Sequence, residues 1–90
     1  MQIAKVIGNV WATRKDETLH GFKFLVIRDI YNDKKISVAV DSGVGAGNGD
    51  LVLVVGGSSA RVSLNTEINI PVDSTIVGVV DSVDVDKSIS

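Results

Sequence analysis

Apolar and polar residues alternate with a period near two along most of this chain, the pattern of half-buried β-strands. Gln2 to Ala12 sets Ile3, Lys5, Ile7, Asn9 and Trp11 on one face and Ala4, Val6, Val10 and Ala12 on the other. Phe22 to Ile30 predicts a second strand, with Phe22, Phe24, Val26 and Ile30 alternating against Lys23, Leu25, Ile27 and Asp29. A polar loop, Thr13 to Gly21, separates the two, and Tyr31-Asn32-Asp33-Lys34 is a turn by its Asn and Asp content. Ile36 to Val40 and Leu51 to Val55 follow as third and fourth strands, and Thr75 to Val85 as a fifth. In the fifth, Ile76, Gly78 and Val80 lie opposite Val77, Val79 and Val83.

Leu51 to Val55 departs from the alternation: it is apolar on both faces, so one face needs a cover other than its own sheet, either another barrel layer or a neighbouring subunit. Between the fourth and fifth strands, Ser58 to Val62 has room for a single helical turn capped by Ser58 or Ser59. Asn65 to Val72 reads as loop with Pro71 at its end, and the polar stretch Asp84 to Ser90 is expected to fray. Five short strands with turns between them and no long amphipathic helix predict an all-β fold, a small five-stranded OB-like β-barrel with one short helical turn, in a single domain spanning residues 1–90.

Composition narrows the chemistry. With 44% apolar residues and only 4% aromatic, the core is built from Val, Ile and Leu. A 90-residue chain buries at best about two-thirds of its unfolded surface, so its stability leans on a partner. The absence of cysteine excludes disulfides and thiolate metal sites. Met1 to Ala12 has no continuous apolar region of the signal-peptide kind, and no run reaches the roughly 20 residues needed to span a bilayer. A net charge of −2 with scattered basic residues speaks against nucleic acid, which is held by clustered Lys and Arg.

The stretch Asp41-Ser42-Gly43-Val44-Gly45-Ala46-Gly47-Asn48-Gly49-Asp50 is the most informative. A Gly-rich loop that cradles a pyrophosphate opens a helix, whose aligned N–H groups hold the anion. This one runs into the strand Leu51 to Val55, so the dinucleotide and P-loop readings lose their context. What remains is a tight loop between strands, with Gly45, Gly47 and Gly49 supplying positive φ.

Other candidates are weak. Phe22, Phe24 and Trp11 suit a stacking platform for single-stranded nucleic acid, but the apolar flanks of Phe22, Phe24 and Val26 point to a core role. His20 is the sole histidine, which excludes a His-rich metal cluster and leaves Ser58 and Ser59 without a plausible triad. Asp81, Asp84 and Asp86 read as a solvated edge, and Asp81, interrupting an apolar strand, is also a candidate acceptor. No nucleophile–base pair, metal set or cofactor site emerges, so no enzyme is expected.

Val44 to Asp50 and Gly57-Ser58-Ser59-Ala60-Arg61, together with Met1-Gln2-Ile3-Ala4-Lys5-Val6, Ala12-Thr13-Arg14-Lys15, Leu19 to Leu25, Pro71-Val72-Asp73 and Val77 to Asp81, resemble the EutN/CcmL family of bacterial microcompartment shell vertex proteins. The resemblance covers nearly the whole chain and rests on the order and spacing of these pieces. In one place the chain departs from the pattern. The family sets its Asp two residues before the Val of Val-Gly-Ala-Gly, whereas Asp41 lies three before Val44, so Gly43 reads as an insertion and the role of Asp41 is left open.

The resemblance implies a structural protein: a homopentamer at the vertices of an icosahedral shell in the bacterial cytoplasm, with hexameric shell proteins as partners. It implies that Gly45, Ala46, Gly47 and Gly49 form a loop crowded near a subunit interface or central opening, and that Ser58, Ser59, Arg61 and Asp81 lie at or near that boundary. Arg61 would there offer a planar guanidinium for bidentate contacts. The runner-up reading is a monomeric OB-like module binding nucleic acid or oligosaccharide, which the fold alone allows.

Overall fold

The computed structural model describes residues 1–11, 21–56 and 74–85. They form β1 (Gln2–Val10), β2 (Lys23–Asp29), β3 (Ile36–Asp41), β4 (Leu51–Gly56) and β5 (Ser74–Val80), closed into a barrel in the order β1-β2-β3-β5-β4. All neighbours are antiparallel except β3 and β5, which run parallel over two register pairs, Val40↔Thr75 and Asp41↔Ile76. Closure removes the bare strand edges that an open sheet of this size would present. The expected helical turn over Ser58 to Val62 lies outside the described residues, among which there is no helix.

The interior is aliphatic. Ala4 and Val6 from β1, Leu25 and Ile27 from β2, Ala39 from β3, Val52 and Val54 from β4 and Ile76 from β5 form one buried cluster, joined by Ala46 from the Gly-rich loop. Each large member contributes about 1.5–3 kcal/mol by leaving water. The register enforces this arrangement: Ala4 faces Val52, Val6 faces Ile27, Leu25 faces Ala39 and Val54 faces Ile76, so inward residues meet across all four antiparallel seams.

On β2 the expected core face is corrected. Leu25 and Ile27 are fully buried, whereas Phe22, Phe24 and Val26 are half-buried, with Phe24 and Val26 on the other face of the strand. Both faces of β2 carry large apolar residues, so alternation could not choose between them; the narrow interior of a five-stranded barrel accepts the aliphatic pair. Trp11 just beyond β1 is exposed. β5 also differs, ending at Val80 and not continuing to Val85. Two bulges bend the wall, one in β1 between Val6 and Gly8 and one in the β4–β5 ladder between Leu53 and Val54. The first makes Ile7, outward as the alternation expects, the extra residue, so that Gly8 pairs with the outward Val26 and the alternation expected for β1 breaks after Ile7.

Candidate functional site

β3 ends on Asp41, whose side chain is 7% exposed although the residues after it reach solvent. The chain then wraps around that carboxylate. Oδ1 accepts the N–H groups of Gly43 and Val44 at 2.8 and 2.9 Å, and Oδ2 those of Gly45 and Ala46 at 3.0 Å each. Such a path needs left-handed backbone, which Gly43 and Gly45 provide with φ of 114° and 81°. Burial pushes the carboxyl pKa up, but the N–H donors of Gly43, Val44, Ala46 and Gly45 together outweigh it, and Asp41 titrates below the ordinary value of 3.8.

The rest of the loop is fixed to three strands. Ser42 N–H donates to the Ile76 carbonyl of β5 at 3.2 Å, and the Lys23 ammonium of β2 donates to the Ala46 carbonyl. Lys23 is also the register partner of Asp41, so a cation borders the carboxylate nest. Asp50 repeats the device on a smaller scale: its Oδ2 accepts Gly47 N–H at 2.9 Å, and its own N–H donates to the Gly47 carbonyl at 3.0 Å. Val6 of β1 closes the loop's far end, its carbonyl accepting Gly49 N–H at 2.8 Å and its N–H donating to the Asp50 carbonyl at 2.9 Å.

Successive N–H groups converging on one point make an anion-binding concavity. Here the anion is supplied from within, by Asp41, and the donors that a phosphate would need are already committed. The loop is therefore a rigid, small-side-chain projection held by an internal counterion. Ala46 anchors it, with its methyl fully buried in the barrel core, while Gly45, Asn48 and Gly49 present backbone to solvent. Gly49 has φ of 89°, but Gly47 does not adopt positive φ, contrary to expectation. Asp81 is exposed one residue beyond the Leu51↔Val80 pair, at the barrel end where the loop enters β4. Ser58, Ser59 and Arg61 lie outside the described residues.

Sequence reasoning thus found the loop's glycines and missed its organiser. The one-residue insertion that left Asp41 without a role does not displace it, because the added residue's own N–H becomes one of the four donors. An acid followed by residues able to take positive φ is the recognisable signal for a side chain that folds the backbone after it. Among the described residues no group of three or more His, Cys, Asp or Glu side chains is placed to hold a metal ion.

The family model described as ethanolamine utilisation protein EutN/carboxysome matches residues 1–81. The chain is 43% identical to the microcompartment shell vertex protein GrpN of Rhodospirillum rubrum, covering 93% of this chain and 97% of that one. It is 41% identical to the carboxysome shell vertex protein CcmL of a Nostoc species, covering 96% and 88%. Among solved structures, the pentameric GrpN shell protein superposes with a TM-score of 0.83 over 96% of this chain and all of that one, at 42% identity. The pentameric shell protein of the RMM microcompartment superposes with a TM-score of 0.85 over 96% and 98%, at 34% identity.

Proposed function

The chain belongs to the EutN/CcmL family, and on that premise we propose that it is a structural shell protein whose homopentamers cap the vertices of an icosahedral bacterial microcompartment. The observation that carries this is the end-to-end similarity to shell vertex proteins and to two solved pentameric shell proteins. A flat layer of hexameric tiles cannot close on itself, and units of five supply the missing curvature. The work required is geometric, so a loop stiffened by its own carboxylate is the kind of feature expected, and a catalytic site is not.

In this reading the shell stands in the bacterial cytoplasm and the pentamer's neighbours are hexameric shell proteins. Head-to-tail contacts between identical protomers close a ring when the rotation fits. Gly45, Gly47 and Gly49 with Asp81 lie near the subunit boundary or the central opening, with Ala46 fastening the loop from within, and Ser58, Ser59 and Arg61 complete the boundary. Native mass spectrometry tests the proposal: the expected species is five times the 9.5 kDa protomer. A monomer at micromolar concentration, above all one that binds nucleic acid, overturns it.

A further inference from the structure

Of the five asparagines in the chain, only Asn48 is followed by glycine. That pairing carries a chemistry of its own. A backbone nitrogen attacks the side-chain carbon of a preceding asparagine most readily when its own residue has no Cβ to hinder the approach, which is the case for glycine alone. Asn48 is exposed, and its amide enters no hydrogen bond among the described residues. What opposes the reaction is the backbone around it. Asp50 N–H donates to the Gly47 carbonyl at 3.0 Å, so residues 47–50 form a turn with Asn48 and Gly49 at its centre, and Gly49 has φ of 89°. Turns with positive φ at the third residue hold the second at positive ψ, in type II and type I′ alike. That rotation points the Gly49 nitrogen away from the Asn48 side chain, whereas closing a five-membered ring on an L-residue requires ψ to be strongly negative. The nitrogen is also engaged. Its N–H donates to the Val6 carbonyl at 2.8 Å and Val6 N–H donates to the Asp50 carbonyl at 2.9 Å, so β1 pins the turn on both sides of Gly49. Gly47 N–H, donating to Asp50 Oδ2 at 2.9 Å, closes it from within.

We infer that Asn48 is a self-modification site with water as its co-reactant, held intact while the 47–50 turn is closed and converted when the turn opens. In the opened loop the Gly49 nitrogen gives up its proton to solvent and bonds to Asn48 Cγ. The bond from Cγ to the amide nitrogen breaks, and that nitrogen leaves as ammonia after taking a proton from water. Water then adds to the succinimide that remains. Attack at Cγ breaks its new bond to the Gly49 nitrogen and leaves aspartate; attack at the Asn48 backbone carbonyl breaks the original peptide bond and leaves isoaspartate, whose main chain runs through the former side chain. No group is oxidised or reduced. Either product sets a new carboxylate two residues from Asp50, and isoaspartate also lengthens the main chain inside the turn, so the bonds to Gly47 and Val6 no longer align. Conversion is then a permanent record that the loop of that chain has been open. The chemistry belongs to the single chain and stands whether or not the ring forms.

Trypsin gives a direct readout. It cuts after Lys35 and next after Arg61, and the peptide between them contains no other Asn and no Gln, so an amide-to-acid gain in its mass reports Asn48 alone. The full chain is incubated at mildly alkaline pH, folded in buffer and unfolded in guanidinium chloride, and that peptide is followed by liquid chromatography and mass spectrometry. The unfolded chain is expected to convert at least about tenfold faster, because the folded protein reacts only through the fraction whose loop is locally open. Asp50→Ala removes the acceptor of Gly47 N–H. Its folded rate, divided by its own unfolded rate and with the fold checked by circular dichroism, is expected to rise several-fold over the wild-type ratio. Asn48→Gln, which would have to close a six-membered ring, is expected to keep its mass over the same period. Equal folded and unfolded rates in wild type overturn the gating, and a peptide unchanged in both overturns the modification site. A folded Asp50→Ala with the wild-type ratio overturns the turn as the gate; should that variant not fold, the two wild-type rates decide. Conversion of Asn48→Gln at the Asn48 rate overturns the succinimide route.

Discussion

Two loops lie at opposite ends of β3, and both are organised by an aspartate that ends the strand before them. Before β3, Asp29 accepts the N–H groups of Tyr31 and Asn32 on Oδ1 at 2.8 and 3.1 Å and the Gln2 side-chain amide on Oδ2 at 3.3 Å. Asn32 adds a hydrogen bond from Lys34 N–H, and Lys35 N–H donates to the Asn32 carbonyl. After β3, Asp41 accepts four N–H groups and is nearly inaccessible. The first loop is a water-exposed turn in which each contact competes with solvent. The second is folded around a buried charge that solvent cannot easily replace. The same side chain in the same position relative to a strand therefore does different work, and burial is what separates the two.

Removing the organisers breaks the comparison most directly. Asp41→Ala, which orphans four donors, is expected to cost about 3 kcal/mol, since hydrogen bonds to a charged group contribute roughly 1.5–3 kcal/mol each and several of these donors regain water. Chemical unfolding at a fixed protomer concentration measures it, because assembly couples to stability. Asp41→Asn keeps one acceptor and turns an amide against the remaining donors, and is expected to fall between wild type and Ala.

Acid sharpens the same point. The Asp41 carboxyl titrates below its unfolded value, so its contribution is complete above about pH 4 and is lost as pH falls through the lower folded value. Stability measured against pH is expected to decline in that window in wild type, and less steeply in Asp41→Asn. Next in size are the glycines. Gly45→Ala forces a Cβ into left-handed backbone and is expected to cost about 1–2 kcal/mol. Gly47→Ala, where φ is ordinary and the nearest atom is Asp50 Oδ2 at 4.0 Å, is expected to be neutral or to stabilise by up to about 1 kcal/mol through the unfolded chain. Thermal unfolding distinguishes the signs. The smallest effect is expected for Asp29→Ala, about 1 kcal/mol or less because its donors turn to water.

How far the sequence could be read follows the same physics. The five strands, the barrel class and the loop were visible because period-two patterning and clustered glycines are local signals. The choice of the inner face of β2 was not, since Phe24 and Val26 are as apolar as Leu25 and Ile27 and only the space inside the closed barrel separates them. The bulge at Ile7 was hidden because alternation runs unbroken through Val6 and Ile7, and only the register with β2 reveals the extra residue. Asp41 was visible as a residue and silent as a role, because a carboxylate bound to backbone N–H groups needs no particular side chain at the other end. The two-sided apolarity of Leu51 to Val55 was legible, and the barrel divides it, with Val52 and Val54 facing the core and Leu51, Leu53 and Val55 half-buried outside.

The parallel seam between β3 and β5 has a kinetic consequence. β1, β2 and β3 pair through connections of modest length. β1 with β4, at Lys5↔Leu51 to Gln2↔Val54, and the β3–β5 seam, at Val40↔Thr75 and Asp41↔Ile76, both wait for distant parts of the chain to be gathered, and the seam differs from the other in its length. With two register pairs and one further hydrogen bond from Ser42 it is also the thinnest ladder in the wall. While this thinnest seam is open, β3 and β5 are bare edges, each a template for a neighbouring chain. Asp41 lies in that seam and folds the following loop beside it, so its carboxylate is expected to shorten the interval in which crowded, newly made chains are able to zip together along the wrong strands.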